Sequence, residues 1–218
     1  MKENITPELA EIIGIYVGDG YLRYEGSRKE LDISGGYEEK EYYDNHIIPL
    51  CNTTFNISIT GKFFPSRSTY GFVIRDRSVL EIFKELGFPS GNKSTIIKIP
   101  DIIKYSNNKE VIIRFLRGYF DTDGCVCFRN RKGGKSYSEY QQKYHYHPRI
   151  ILTSVSKPLV EDLKVILTQL GFTFNIFIKE SKQKNWNTSF HITLVGKSNL
   201  ERWMALIGMK NTAKQSRY

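Results

Sequence analysis

Cysteine is scarce: Cys51, Cys125 and Cys127 among 218 residues, with no CxxC pair. That argues against a disulfide framework and a thiolate zinc site, and the chain reads as a reduced, intracellular protein. Long apolar runs are missing as well. None approaches the ~20 residues a membrane-spanning helix needs, and the opening MKENITPELAEI carries charge where a signal peptide needs an apolar core. No membrane partner is expected, and a cytoplasmic, nucleoid or organellar location fits better than secretion. Histidine is rare, with four residues. His145-x-His147 has no third metal ligand beside it, so a loop or groove-facing place is expected, and His46 and His191 read as ordinary element residues. Acids are in deficit, 23 against 32 Lys plus Arg, for a net charge of +9. A bias of that size points to a polyanion, nucleic acid or an anionic membrane surface, with a merely basic protein as the plainer alternative.

What is present is a duplication. Thr6-Pro7-Glu8 opens one helix with an N-cap and a proline at its first position, and Asn107, three residues before Glu110, opens another. The first ends IIGIYVGDG (12 to 20) and the second LRGYFDTDG (116 to 124). Gly14 stands five residues before Asp19, and Gly118 five before Asp123. SVLEIFKELG (78 to 87) echoes SNLERWMALIG (198 to 208), each read as a Ser-x-x-Glu capping box with a glycine stop. Six residues past that glycine each half has a lysine, Lys93 and Lys214. Residues 40 to 55 and 158 to 172 supply a further helix per half. Alternating stretches at 21–25, 30–34, 56–64 and 69–75, then 125–130, 149–154, 174–181 and 189–195, read as strands. The expected fold is α+β: two pseudo-twofold α-β-β-α-β-β-α halves, 1–101 and 102–218, with antiparallel sheets. Cys125 and Cys127 alternate on one strand and are expected in its core face. Asp19 and Asp123 are 104 positions apart and Gly87 and Gly208 are 121 apart, which places 17 extra residues in the second half, in the basic stretch 129 to 149.

Ala10, Gly14 and Gly18 share one helix face, and Gly118 and Thr122 share another. Stripes of small residues let helices approach closely, so the two motif helices are expected to form the seam between the halves. The pseudo-twofold axis then brings Asp19 near Asp123. Two carboxylates meeting at helix C-termini are electrostatically poor, because the macrodipole there favours cations. A divalent metal relieves the conflict, and Mg²⁺ with carboxylate and water ligands suits phosphodiester hydrolysis. A lone Asp-Gly reads as a turn; two, in matched halves behind glycine-faced apolar helices, read as a site.

At these residues the chain resembles the LAGLIDADG homing endonucleases of the single-chain, two-motif type, over nearly its whole length. The resemblance implies a monomeric, site-specific double-strand DNA endonuclease whose paired sheets form a DNA-binding saddle and which cuts across the minor groove to leave short 3′ overhangs. It implies Asp19 and Asp123 as metal-binding and catalytic acids, with the Gly18 and Thr122 carbonyls as further ligands, and Mg²⁺ as cofactor with Mn²⁺ as a substitute. Asp121 has Val17 as its counterpart and is not counted as a ligand. Lys98 resembles a lysine that some relatives carry ahead of the second motif, and Lys214 is a second catalytic candidate. A glutamine common on the second strand of relatives is replaced by Gly35 or Ser34. An intron-encoded, free-standing enzyme is expected rather than an intein fragment. An RNA-splicing maturase with host intron RNA as partner, or a DNA-binding regulator without cleavage, is the alternative.

The expected DNA-binding residues lie on strands and loops: Arg23, Arg28, Lys29, Lys62, Arg67, Tyr70, Arg75 and Arg77 in the first half. In the second they are Arg129, Arg131, Lys132, Lys135, Gln141, Gln142, Lys143, Lys179, Lys182, Lys184, Asn185 and Trp186. Arg and Gln suit bidentate base contacts, and Lys suits phosphate. A seven-residue strand spans ~23 Å, roughly seven base steps, so two halves would cover about fifteen base pairs or more. The insertion is expected to give the second half more DNA contacts.

Overall fold

The computed structural model describes residues 5–131, 145–181 and 186–215. The first half runs α1 (Pro7–Asp19), β1 (Gly20–Glu25), β2 (Arg28–Gly36), then a helical stretch of α2 (Lys40–Tyr42), a π turn (Tyr43–Ile47) and α3 (Ile48–Phe55). It closes with β3 (Lys62–Phe64), β4 (Thr69–Ile74) and α4 (Arg77–Glu85). After the short α5 (Asp101–Lys104) the order repeats: α6 (Lys109–Asp123), β5 (Gly124–Arg131), β6 (His145–Ser154), α7 (Lys157–Gln169), β7 (Asn175–Lys179), β8 (Ser189–Val195) and α8 (Lys197–Leu206), followed by α9 (Thr212–Gln215). Each half builds an antiparallel four-stranded sheet, ordered β1-β2-β4-β3 and β5-β6-β8-β7. The expected α+β duplication is the observed one.

Capping chemistry sets the helix boundaries, with some shifts. Thr6 caps α1, its hydroxyl accepting from the Leu9 amide at 3.2 Å. Asn108 rather than Asn107 caps α6, accepting from the Glu110 amide at 3.0 Å. Neither Ser-x-x-Glu acts as a capping box. Asp76 accepts the Ser78 and Val79 amides at the start of α4, and α8 begins after Gly196, which holds φ at 99°. The strand expected from residue 56 starts only at Lys62. Asn56 turns left-handed at φ 51°, and the Asn52 amide bonds both the N–H and the C=O of Ile59, at 2.8 and 3.1 Å. Those are the groups a neighbouring strand would otherwise satisfy. The π turn precedes Pro49. Proline has no N–H and crowds the carbonyl four residues back, and a wider turn, with Ile48 N–H donating to Tyr43 O, moves that carbonyl aside.

α1 and α6 form the seam. A Cβ on Gly14 would lie 2.2 Å from the Phe115 carbonyl oxygen, and one on Gly118 would lie 2.2 Å from that of Glu11. Backbone touches backbone, as the small-residue stripes imply. Each motif helix then packs an equivalent aromatic on its half's last long helix: Tyr16 on Phe83 and Phe120 on Trp203, both with centroids 4.9 Å apart.

A buried charge cluster locks the other end of the seam. Glu11 of α1 is fully buried and accepts from Arg117 of α6 at 3.0 and 2.7 Å, with Arg114 and His46 also beside it. Burial pushes its carboxyl up, but the His46 and Arg117 hydrogen bonds outweigh that and pull it down to about 2 from 4.5. Glu11→Gln strands two arginines and should destabilise by about 3–5 kcal/mol in urea unfolding at neutral pH. A depressed folded pKa stabilises above the unfolded value, so this contribution should fade as pH falls from about 4.5 towards 2. A neutral result at pH 7 would show that the cluster does not hold the halves together.

Leu22, Leu31, Ile33, Phe72 and Ile74 are buried on the helix-covered face of the first sheet; Val126, Ile150, Leu152, Ile192 and Leu194 match them in the second. Among the described residues, no helix covers the opposite face of either sheet. Cys125 and Cys127 do share a face, but it is this open one: both are only partly buried, and Val126 between them fills the core. Strand alternation settles which residues share a face; burial of the neighbour settles which face is inside.

Candidate active site

Asp19 and Asp123 are the last residues of α1 and α6. The close helix contact carries them together: a Cβ on Gly18 would be 3.4 Å from the Asp123 carboxyl carbon. Their surroundings differ. Asp19 is partly buried and accepts a hydrogen bond from the Tyr43 hydroxyl at 2.7 Å. β2 passes directly beneath it at Gly35, where a Cβ would meet Glu39 Oε2 at 2.6 Å, Asp19 Oδ2 at 2.8 Å and the Tyr43 hydroxyl at 3.0 Å. Only glycine leaves that room, and Glu39 and Tyr43 occupy the space near Asp19 on this strand. Asp123 is exposed and opens onto a cleft of about 320 Å³ lined also by Lys93, Thr153 and Ser154.

Two lysines complete the site with matched geometry. Lys93 donates to the carbonyls of Val17 and Gly18 at 2.6 and 3.1 Å, and Lys214 to those of Phe120 and Thr122 at 2.9 and 2.6 Å. Each ammonium thus caps the C-terminus of one motif helix, where the macrodipole favours a cation. Lys93 stands at the position of Lys214 in the repeat, and the fold shows what the repetition is for. Lys98, expected beside the aspartates, is exposed and lines another cleft with Leu86 and Pro100. Gly18 and Thr122 carbonyls, expected as metal ligands, already accept from the lysines.

Asp121 faces away from the pair. It is buried and accepts from the Lys210 amide at 2.8 Å. Asn211, also buried, bridges the halves by donating to Glu39 Oε1 at 2.7 Å and to the Asp121 carbonyl at 2.8 Å. Tyr43, Glu39 and Asn211 carry no motif; only folding brings residues so distant in sequence to Asp19.

The charges are under-compensated. Burial, then the nearby Asp123 and Glu39 carboxylates, push Asp19 up to about 7 against the Tyr43 hydrogen bond. Burial also raises Asp123, opposed by Lys93 and Lys214; its greater exposure screens it more. Burial pulls Lys93 down to about 8 and lowers Lys214. Added positive charge would relieve both carboxylates, so the donor set fits a hard divalent cation. Among the described residues no three carboxylate, imidazole or thiol groups converge on one point. A cation held by Asp19 and Asp123 would complete its shell with water and phosphate oxygen, as Mg²⁺ does.

The candidate DNA-binding residues divide by face. Arg23, Arg28, Lys62 and Arg75 fall on the open face of the first sheet by strand register, and Arg67, in the β3–β4 turn, pairs with Asp32 on that face. Lys29 and Tyr70 belong to the helix-covered face instead. The Lys29 ammonium lies 4.4 Å from the Tyr24 ring centre, and the Tyr70 hydroxyl donates to Asp44 at 2.6 Å. Arg77 is on the first turn of α4, beside Glu81 at 3.9 Å. Lys179 ends β7, and Trp186 is 70% exposed before β8. Arg129 and Arg131 lie on β5, opposite His147 and His145. Lys132, Lys135, Gln141, Gln142, Lys143, Lys182, Lys184 and Asn185 lie outside the described residues.

Residues 110–208 match the model of the LAGLIDADG-like domain. A variant of the homing endonuclease I-DmoI superposes over 94% of this chain and 91% of its own, with TM-score 0.61 at 17% identity. Residues 110–208 thus form a LAGLIDADG-like domain, and the chain as a whole has the fold of the two-motif, single-chain LAGLIDADG endonucleases. A variant of I-SmaMI agrees over 98% of this chain and 88% of its own, with TM-score 0.62 at 13% identity. I-LtrWI, solved bound to target DNA, agrees over 96% and 87%, with TM-score 0.59 at 13% identity. At these identities the structural likeness is one of LAGLIDADG fold. In sequence, the chain is 28% identical over 164 residues to a probable translation initiation factor IF-2 of Methanocaldococcus jannaschii, covering 73% of this chain and 13% of that protein. It is 26% identical over 213 residues to the replication factor C small subunit of the same organism, covering 98% and 10%. The tRNA-splicing ligase RtcB of Methanopyrus kandleri is 24% identical over 211 residues, covering 92% and 20%. The chain thus spans a tenth to a fifth of the length of these curated relatives.

Proposed function

We propose that the chain is a site-specific double-strand DNA endonuclease that uses Mg²⁺ and acts as a monomer. The observation that carries this reading is the convergence of Asp19 and Asp123 at one end of a glycine-packed seam, between two sheet faces that no described helix covers. In this reading Asp19 and Asp123 would hold the cation, which would supply charge stabilisation and an activated water at the scissile phosphate. Lys93 and Lys214 place an ammonium beside each carboxylate, where negative charge develops on a phosphate under attack. Tyr43 and the Gly35 backbone orient Asp19. The open sheet faces lie along duplex DNA, with Arg23, Arg28, Lys62, Arg67 and Arg75 towards it.

Two comparisons support the reading. I-DmoI has been solved in complex with DNA and Mn, and I-LtrWI with target DNA. An initiation factor, a replication factor subunit and an RNA ligase have no stated activity in common, so the segment they share with this chain is separable from those activities. A unit that lodges in unrelated genes fits an enzyme that cuts DNA at rare sites. The intron-RNA reading draws no support from these comparisons.

The direct test is incubation with a randomised duplex library in Mg²⁺, followed by sequencing of the cut ends. Recovery of one long asymmetric site is the expected result; no cleavage of any duplex would overturn the reading. Binding should also depend steeply on salt. If six to ten phosphates are neutralised, affinity should fall by about 10³ to 10⁵ between 50 and 200 mM salt. A flat profile in a titration would remove nucleic acid as the main partner.

A further inference from the structure

The two open sheet faces have different chemistry, row for row. In the first sheet, Arg23 of β1 faces Glu30 of β2, and Arg75, just past β4, reaches the same carboxylate. Glu30 Oε2 accepts from Arg75 at 3.1 Å, and its Oε1 lies 3.7 Å from Arg23. One row nearer the active site, Asp32 pairs with Arg67 at 2.9 Å and accepts from the Ser34 hydroxyl at 2.9 Å. These acids lie on a face that should repel phosphate, yet both are committed to cations. Their effect is to fix three guanidinium forks that remain 37%, 44% and 69% exposed at Arg23, Arg67 and Arg75. A pre-oriented fork matches the paired O6 and N7 acceptors of guanine better than it matches an isolated phosphate oxygen.

The equivalent rows of the second sheet hold Cys127, Arg149 and Val195, then Cys125, Ile151 and Thr193. Neither row contains an acid. The partly buried side chains of Cys125 and Ile151 sit directly opposite one another on the open face, while Val126 and Ile150 fill the core behind them. Apolar atoms at a groove-facing position match the thymine methyl group, the main apolar feature of the major groove.

We propose that the two half-sites are read by different chemistry. The first half takes guanines, through arginines held by Glu30 and Asp32. The second takes thymines at its inner positions, through methyl contacts with Cys125 and Ile151. The inference rests on the endonuclease reading, and its test separates the two.

The target is first selected from a randomised duplex library, and the half-sites are assigned by where Arg75→Ala changes the selected sequence. Binding of the intact protein without divalent metal is then measured on duplexes carrying base analogues in one half-site at a time. In 7-deazaguanine the N7 acceptor is gone; in uracil the thymine methyl is gone. Deazaguanine should weaken binding about tenfold in the first half-site and under about twofold in the second. Uracil should weaken it about fivefold in the second and under about twofold in the first. Glu30→Gln keeps every arginine; it should lose the guanine preference while binding mixed-sequence DNA at least as tightly, which a folding defect would not do. Ile151→Ser should abolish the uracil effect. Equal analogue effects in both half-sites, or none in either, would overturn the proposal. Failure to bind or cut any duplex would instead overturn the endonuclease reading.

Discussion

Asp19→Asn and Asp123→Asn should each remove double-strand cleavage while leaving DNA affinity within about threefold. Each carboxylate ends a motif helix at the seam, and neither contributes to the basic open faces that would meet the duplex. Losing the charge at a cation-binding carboxylate forfeits several kcal/mol of transition-state stabilisation, about a thousandfold in rate or more. Asparagine keeps the shape, so the fold should survive. At position 19 its amide oxygen could still accept the Tyr43 hydroxyl bond, though the uncompensated negative charge beside Glu39 would be gone. A supercoiled plasmid carrying the target separates nicked from linear product. Linear product from either variant at the parent rate in Mg²⁺ would end the assignment of these two residues.

Gly118→Val should cost about 3 kcal/mol or more of stability. The added Cβ would start 2.2 Å from the Glu11 carbonyl oxygen and 3.0 Å from the Ile15 amide nitrogen. Both are backbone atoms of α1, so nothing can rotate out of the way; the helices must part, and overpacking of this kind ranks with the most damaging core changes. Gly18→Ala offers a contrast. Its Cβ would meet Thr122 Oγ1 at 2.1 Å and Thr122 Cβ at 2.8 Å, both side-chain atoms. The hydroxyl can turn away about χ1 but Cβ is fixed by its backbone, so the helices need part by less than the 2.2 Å backbone contact at Gly118 demands, and the loss there should be smaller. Urea unfolding of both variants measures the difference. A Gly118→Val protein within about 0.5 kcal/mol of the parent would show that the seam is looser than this geometry.

Much of this was legible along the chain. Local order carries local signals: Thr6 and Pro7 start α1, the glycines past α4 and α8 stop them at φ 82° and 69°, and alternation marks the strands. The duplication made those signals stronger, because each half repeated the other. The glycine stripes foretold the helix seam, since only a close approach needs them on one face, and the seam placed Asp19 beside Asp123. Where local signals competed, helix starts lay a residue or two from the expected cap, as at Asn108 and Asp76, because several polar residues near a helix start can each accept an amide; α8 instead starts behind Gly196, whose φ of 99° turns the chain without a side-chain cap.

The tertiary structure alone decided three things. It brought Lys93 rather than Lys98 to the end of α1, because reaching that end depends on how the chain returns after α4 rather than on distance from a motif. It brought Tyr43, Glu39 and Asn211 to Asp19 from places that share no pattern. And it chose the faces of the sheets. Alternation placed Cys125 with Cys127 and Lys29 with Leu31, but a period of two is symmetric between the sides; only the helices packed on one side, and the buried row they cover, break that symmetry.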